Sequence, residues 1–142
     1  MIYDEHFFSL EDQMERLVQG ILNSQVMGNY LDKEGLLHSD PTVKKLRDSF
    51  SNQKQDFELI APYGKYAPGY KEKMQQTRRA KRDLDLHPMV ADFKVAELDL
   101  QTALDVISTQ IAQSISEQIK VETGNPFFEG KHRGCGGNCH AS

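Results

Sequence analysis

The chain has 142 residues, a formal net charge of −4, 38% hydrophobic and 27% charged residues, and no Trp. That length suits one compact domain and is short for two independent cores, and the charge balance argues against general nucleic-acid binding. No apolar run approaches the ~20 residues of a membrane-spanning helix, and the acidic start at Asp4 and Glu5 lacks the basic region of a secretory signal, so a cytoplasmic, reducing location is expected.

Ser9 is placed to cap a first helix, with Glu11 and Asp12 in its opening turn against the positive end of the helix dipole. Leu10, Met14, Leu17, Val18, Ile21 and Leu22 then recur at three- and four-residue steps and form one apolar stripe. Residues 23–39 hold Gly28 and Gly35 among scattered apolar positions, the pattern of a weaker second helix or the arm of a helical hairpin. Asp40-Pro41 opens a third helix, because Asp caps the free amides and Pro, with no N–H, loses nothing in the first turn. Val43, Leu46, Phe50, Phe57 and Ile60 give that helix its stripe.

Residues 61–70 carry two prolines, two glycines and three tyrosines and form a loop whose rings either plug the adjacent core or stand exposed as anchors for a partner. Tyr70, Met74, Thr77 and Leu84 mark a fourth helix, interrupted at His87-Pro88. Lys71, Lys73, Arg78, Arg79, Lys81 and Arg82 make this stretch basic, in contrast to residues 1–40, where eight acids face two bases. At helical spacing these cations spread around the cylinder, so the run is read first as a solvated face and second as an anionic contact.

Pro88 opens the longest element. Phe93, Ala96, Leu100, Leu104, Ile107, Ile111, Ile115 and Ile119 step by three or four until Thr123-Gly124-Asn125-Pro126. Such a helix would run about 54 Å, longer than the ~37 Å diameter of a compact domain of this size. Its apolar edge therefore calls for cover, by an antiparallel long helix of the same chain, the 40–60 helix in the first place, or by a second chain. With no strand-like alternation anywhere, the expected fold is all-α: a helical domain over residues 1–124 followed by a flexible tail over 125–142.

That tail holds the chain's one concentration of soft ligands, Cys135-Gly-Gly-Asn-Cys139 flanked by His132 and His140. Three readings stand beside one another: a zinc site using all four, a cluster completed by cysteines of another chain, or incidental thiols in a glycine-rich tail. His6, His38 and His87 have no companion ligands. No glycine loop for phosphate, no Ser-His-Asp set and no helical His-Glu-x-x-His is present, so a catalyst is not expected.

Three stretches carry a resemblance: Tyr63-Gly-Lys-Tyr-Ala-Pro-Gly-Tyr70, Arg82-Asp-Leu-Asp-Leu-His-Pro-Met-Val-Ala-Asp-Phe-Lys94 and Val121-Glu-Thr-Gly-Asn-Pro-Phe-Phe-Glu-Gly130. They are similar, in order and over nearly the whole chain, to the bacterial YlbF (RicF) regulators of the YlbF/YmcA superfamily. The resemblance implies a self-associating helical fold, a homo-oligomer, and a complex with YmcA-type and YaaT-type proteins. It implies further that this assembly carries iron-sulfur clusters and works with endoribonuclease Y in messenger RNA processing, with effects on competence, biofilm formation and sporulation. By position, Cys135 and Cys139 match tail cysteines that would help hold a cluster, although this tail is shorter and poorer in cysteine than the longest in the family. The function expected is that of a non-enzymatic adaptor; the alternatives are an RNA-binding helical protein acting through residues 71–82 and a stand-alone metal-binding module.

Overall fold

The structure, a computed structural model, describes residues 5–127. Five helices follow in order, α1 (Glu5–Leu22), α2 (Gln25–Ser39), α3 (Pro41–Ile60), α4 (Tyr70–Asp85) and α5 (Pro88–Ile115), with a 3-10 turn at Ala61–Tyr63. Among the described residues there is no strand, so the all-α class holds. These residues divide into two compact units between Glu97 and Leu98.

In the first unit the helix boundaries follow from local chemistry. Asn23 and Ser24 separate α1 from α2: the Asn23 amide donates to the Gln19 carbonyl at 2.8 Å, and the Ser24 hydroxyl caps α2 by accepting the Met27 N–H at 3.2 Å. Asp40 opens α3 by accepting the N–H groups of Thr42 and Val43 at 2.6 and 3.0 Å, with Pro41 behind it. These bonds, that of Val43 above all, outweigh partial burial and hold the Asp40 carboxyl below the usual range, with His87 adding a smaller attraction. Gly64 and Gly69 take φ of 80° and 79°, left-handed values that glycine reaches without a Cβ clash, and Gly69 turns the chain into α4.

The antiparallel pairing of long helices in this unit is made by α3 with α4, where the sequence pointed first to the helix after Pro88. The reason is the short connection, which returns the chain directly onto α3. Phe57 meets Tyr70 edge-on at 5.3 Å, Lys73 reaches Asp56 at 2.6 Å, and the Thr77 hydroxyl donates to the Gln53 carbonyl at 2.8 Å. The start of α5 is held from two sides. Tyr30 of α2 lies 5.4 Å from Phe93 and Lys33 pairs with Asp92 at 3.1 Å, while Asp85 receives both Lys81 and Lys94 at 2.6 Å across the Leu86-His87 corner. Those two lysines hold the Asp85 carboxyl below its ordinary range. Val43, Val90 and Ala96 are buried.

In the second unit α5 ends at Ile115, well before the expected stop at Thr123, so the helix is about 42 Å long. Serines end it: Ser114 turns its hydroxyl back to the Ile111 carbonyl at 2.7 Å, and Ser116 accepts the Gln118 N–H at 3.2 Å, a local bond that competes with the helical ladder. The chain then returns to α5.

Removing two buried methyl groups with Val43→Ala is expected to lower unfolding free energy by about 2 kcal/mol, transfer and cavity terms together. Urea denaturation followed by helix circular dichroism measures it, and the m-value should stay unchanged.

Candidate partner-binding surface

The returning segment is fastened by a polar clasp built from one face of α5. Gln101, Thr102 and Asp105 lie at helical spacings that bring their side chains together. The Asp105 carboxylate, 4% exposed, accepts the N–H groups of Gly124 at 3.0 Å and Asn125 at 2.9 Å, and the Gln101 amide at 2.9 Å. Asn125, also buried, donates to the Thr102 hydroxyl at 2.9 Å and accepts the Phe127 N–H at 2.9 Å. Thr102 in turn donates to the Leu98 carbonyl at 2.7 Å, so the chain of donors is closed. A Cβ on Gly124 would run into the Gln101 amide, so a side chain there would have to displace that amide. Burial pushes the Asp105 carboxyl up, but the Gly124 and Asn125 amides and Gln101 together outweigh it and hold the group below the usual carboxylate range.

The sequence read Thr123-Gly124-Asn125-Pro126 as a helix stop and the head of a tail. The signal for the clasp was an isolated Asp within the apolar run of α5, followed by a Gly-Asn turn about twenty residues on. Immediately beyond the clasp, Phe127 has its backbone fixed and its ring 82% exposed.

Around the clasp, α5 is inverted relative to an ordinary helix. Asp105, Thr109 and Ala112 line its buried side, while Leu104, Ile111 and Ile115 face water, Ile115 at 74%. Of the expected isoleucine seam, Ile107 is half-buried and Ile111, Ile115 and Ile119 are exposed, the last beyond the helix end. In the first unit, α1 buries none of its residues, and Tyr63 and Tyr66 of the loop stand in solvent, Lys65 lying 5.2 Å from the Tyr66 ring. Only Tyr70 of the three turns inward, onto Phe57. Contiguous exposed apolar residues of this kind mark surfaces that other molecules cover.

The basic stretch of α4 is sorted by its packing. Lys73 and Lys81 are ion-paired to Asp56 and Asp85, whereas Lys71, Gln75, Arg78 and Arg82, at steps of four, three and four, share the solvent side. His6 and His38 are exposed, and His87 sits at the corner between α4 and α5. Cys135, Cys139, His132 and His140 lie outside the described residues, and among the described ones no three His, Cys, Asp or Glu side chains converge as a metal site requires. No described helix is long and apolar enough to cross a membrane.

Comparison with known proteins gives a consistent result. Residues 10–116 match the family model described as control of competence regulator ComK, YlbF/YmcA. The regulatory protein YlbF of Bacillus subtilis (strain 168) is 40% identical over 130 residues, covering 92% of this chain and 87% of the relative. A chain in the crystal structure of Bacillus subtilis RicA in complex with RicF superposes with a TM-score of 0.73 at 36% identity, over 80% of this chain and 98% of that one.

The clasp should respond to acid with a defined sign. Because the folded Asp105 carboxyl titrates below its unfolded value of ~3.9, its contribution is complete above that value and is lost as the pH falls through the lower, folded one. The Gly124 and Asn125 amide resonances are expected to shift only below the ordinary carboxylate range, and Asp105→Asn should give the acid-state shifts at neutral pH with helix content retained.

Proposed function

The chain belongs to the YlbF/YmcA family of competence-control regulators, and from that premise we propose that it works as a non-catalytic adaptor, binding other proteins through helical faces and delivering a cysteine-bearing tail to the same assembly. One observation carries the proposal: in the single chain, apolar side chains of α1 and α5 face water while the polar Asp105, Thr109 and Asn125 are buried. A helix surface of that kind is finished by a partner.

The partners proposed are a YmcA-type chain and a YaaT-type protein, together with further copies of this chain. The pairing of two such chains is supported by the RicA complex with RicF that this fold matches. The finer reading is that the assembly acts in the cytoplasm on endoribonuclease Y and so on messenger RNA processing, reaching competence, biofilm formation and sporulation; it rests on the family resemblance. The donor set of the tail fits half of a cluster site. Cys135 and Cys139 offer two thiolates, with His132 and His140 beside them, whereas a common iron-sulfur cluster takes four protein thiolates, so partner cysteines would complete it. Such a cluster, when bound, would make the assembly sensitive to oxidants. The clasp would set where the tail leaves α5.

Co-expression with the YmcA-type and YaaT-type chains and anaerobic gel filtration test this directly. A co-eluting complex that contains iron, with the iron but not the helices lost in Cys135→Ser and Cys139→Ser, is the expected result. Absence of any complex would remove the adaptor reading; a complex free of iron would remove the cluster and leave the adaptor, and stoichiometric zinc in the isolated chain would favour a metal module.

Direct RNA contact is favoured by one observation, the solvent-facing line of Lys71, Arg78 and Arg82 on α4. Binding through it would fall steeply with salt, and Arg78→Ala with Arg82→Ala would flatten that dependence by about two phosphate contacts. Filter binding across a salt series decides it.

A further inference from the structure

One flank of the paired helices α3 and α4 carries exposed cations with no acid to answer them. The Asp56–Lys73 ion pair marks the other flank. From Arg47 to Asp56, and from Lys73 to Arg82, the chain makes about two and a half helical turns, so both arginines project from the side opposite that pair. The register, Gln53 against Thr77 and Asp56 against Lys73, sets Arg47 and Arg82 at about the same level, on helices about 8–10 Å apart. Lys71, Gln75 and Arg78 continue this flank along α4. Arg47, Lys71, Arg78 and Arg82 are exposed, and among the described residues none has a carboxylate within ion-pair reach. The acids on this flank are occupied, Glu58 by Lys54 and Asp85 by Lys81 and Lys94, while Asp48 is turned about 100° from Arg47. The Lys73 flank is balanced, with Lys45 and Arg79 beside Asp83 and the Gln76-bonded Glu72.

The composition of the cationic flank selects its ligand. Between residues 41 and 85 the exposed large apolar side chains are Leu59, Tyr63 and Tyr66, all at the loop end of the two helices, and none stands among the cations. A protein interface draws its affinity from apolar and aromatic anchors at its centre, whereas a phosphate backbone is held by charge alone. Tyr63 and Tyr66, 79% and 89% exposed, stand in the loop that leads into Lys71, where the faces of unpaired bases can stack on them. Bases within a duplex stack on one another and offer no such face. The row from Lys71 to Arg82 runs about 16 Å, long enough for successive phosphates. The acidic excess of residues 1–40 does not cancel this row, since exposed charges are screened within about 10 Å at 0.1 M salt.

We propose that the flank bearing Arg47, Lys71, Arg78 and Arg82 is a track for single-stranded nucleic acid, with phosphates on the cations and bases stacked on Tyr63 and Tyr66. The track rests on the direct RNA contact described above and extends it to α3, to the loop rings and to an unpaired strand as the ligand.

Fluorescence anisotropy of the full chain across a salt series tests the track, using labelled RNA and DNA strands of about twelve nucleotides and a duplex of the same length. The strands are expected to bind about tenfold tighter than the duplex; RNA tighter than DNA assigns the source to RNA, and the reverse to DNA. Arg47→Ala should flatten the salt dependence by about one phosphate contact, and Tyr63→Ala with Tyr66→Ala should weaken binding about tenfold at an unchanged salt slope. Lys45→Ala, on the balanced flank, should change neither, and circular dichroism should show equal helix content in every variant. A duplex bound as tightly as the strands, or strand binding indifferent to Arg47→Ala and to the tyrosine pair, would overturn the track and leave contact through Arg78 and Arg82 standing. No salt-sensitive binding of any nucleic acid would remove both. A glutamate-rich peptide that displaces the strands and binds more tightly than either would overturn the track in favour of an acidic protein partner.

Discussion

Scarcity of buried apolar surface governs this chain. Among the described residues Val43, Val90, Ala96 and Ala112 are the buried apolar side chains, and no large side chain is fully enclosed. Hydrophobic burial is the dominant favourable term in folding, at roughly 25 cal/mol per Å² of apolar surface removed from water. A chain that leaves Leu10, Met14, Ile111 and Ile115 exposed leaves part of that term unused in the single chain. Its order then depends on helix caps, on a few half-buried ring contacts, and on polar bonds that fix direction more than they add stability.

Those polar bonds sit at the corners. Asp40 begins α3, Asp85 ties the end of α4 to the start of α5 through two lysines, and Asp105 receives the returning chain. Each acid is held in its charged form by donors supplied within its own unit. The corners leave the helical faces free. For an adaptor this division is useful, because the bonds that define each unit lie apart from the surfaces that partners would cover.

Much of this was legible in the residues. Asp40-Pro41, the Gly-rich loop of 61–70 and His87-Pro88 gave helix boundaries within a residue or two, because caps and breakers act over one turn and need no tertiary information. The end of α5 was misplaced because Ile119 continues the periodic spacing while Ser114 and Ser116 break the ladder by side-chain bonds that periodicity does not register. The partner of α3 was misassigned for a related reason: stripes say that a helix has a face to bury and leave the choice among equally striped helices open. The clasp was missed altogether, since an Asp in an apolar run becomes legible only when the amides that satisfy it are known.

Sequence alone determined the all-α class, the amphipathic stripe of α1, the breaks at Asp40-Pro41, at residues 61–70 and at His87-Pro88, and the absence of a familiar catalytic motif, all of which are set by contacts within a few residues of chain. Tertiary structure alone decided that α3 pairs with α4, that Lys71, Arg78 and Arg82 share the solvent side of α4 while Lys73 and Lys81 are paired, and that α5 turns polar residues inward around Asp105. The physical reason is range: a cap or a proline acts on its own turn, whereas the cost of burying a carboxylate is settled only by donors that arrive from about twenty residues away.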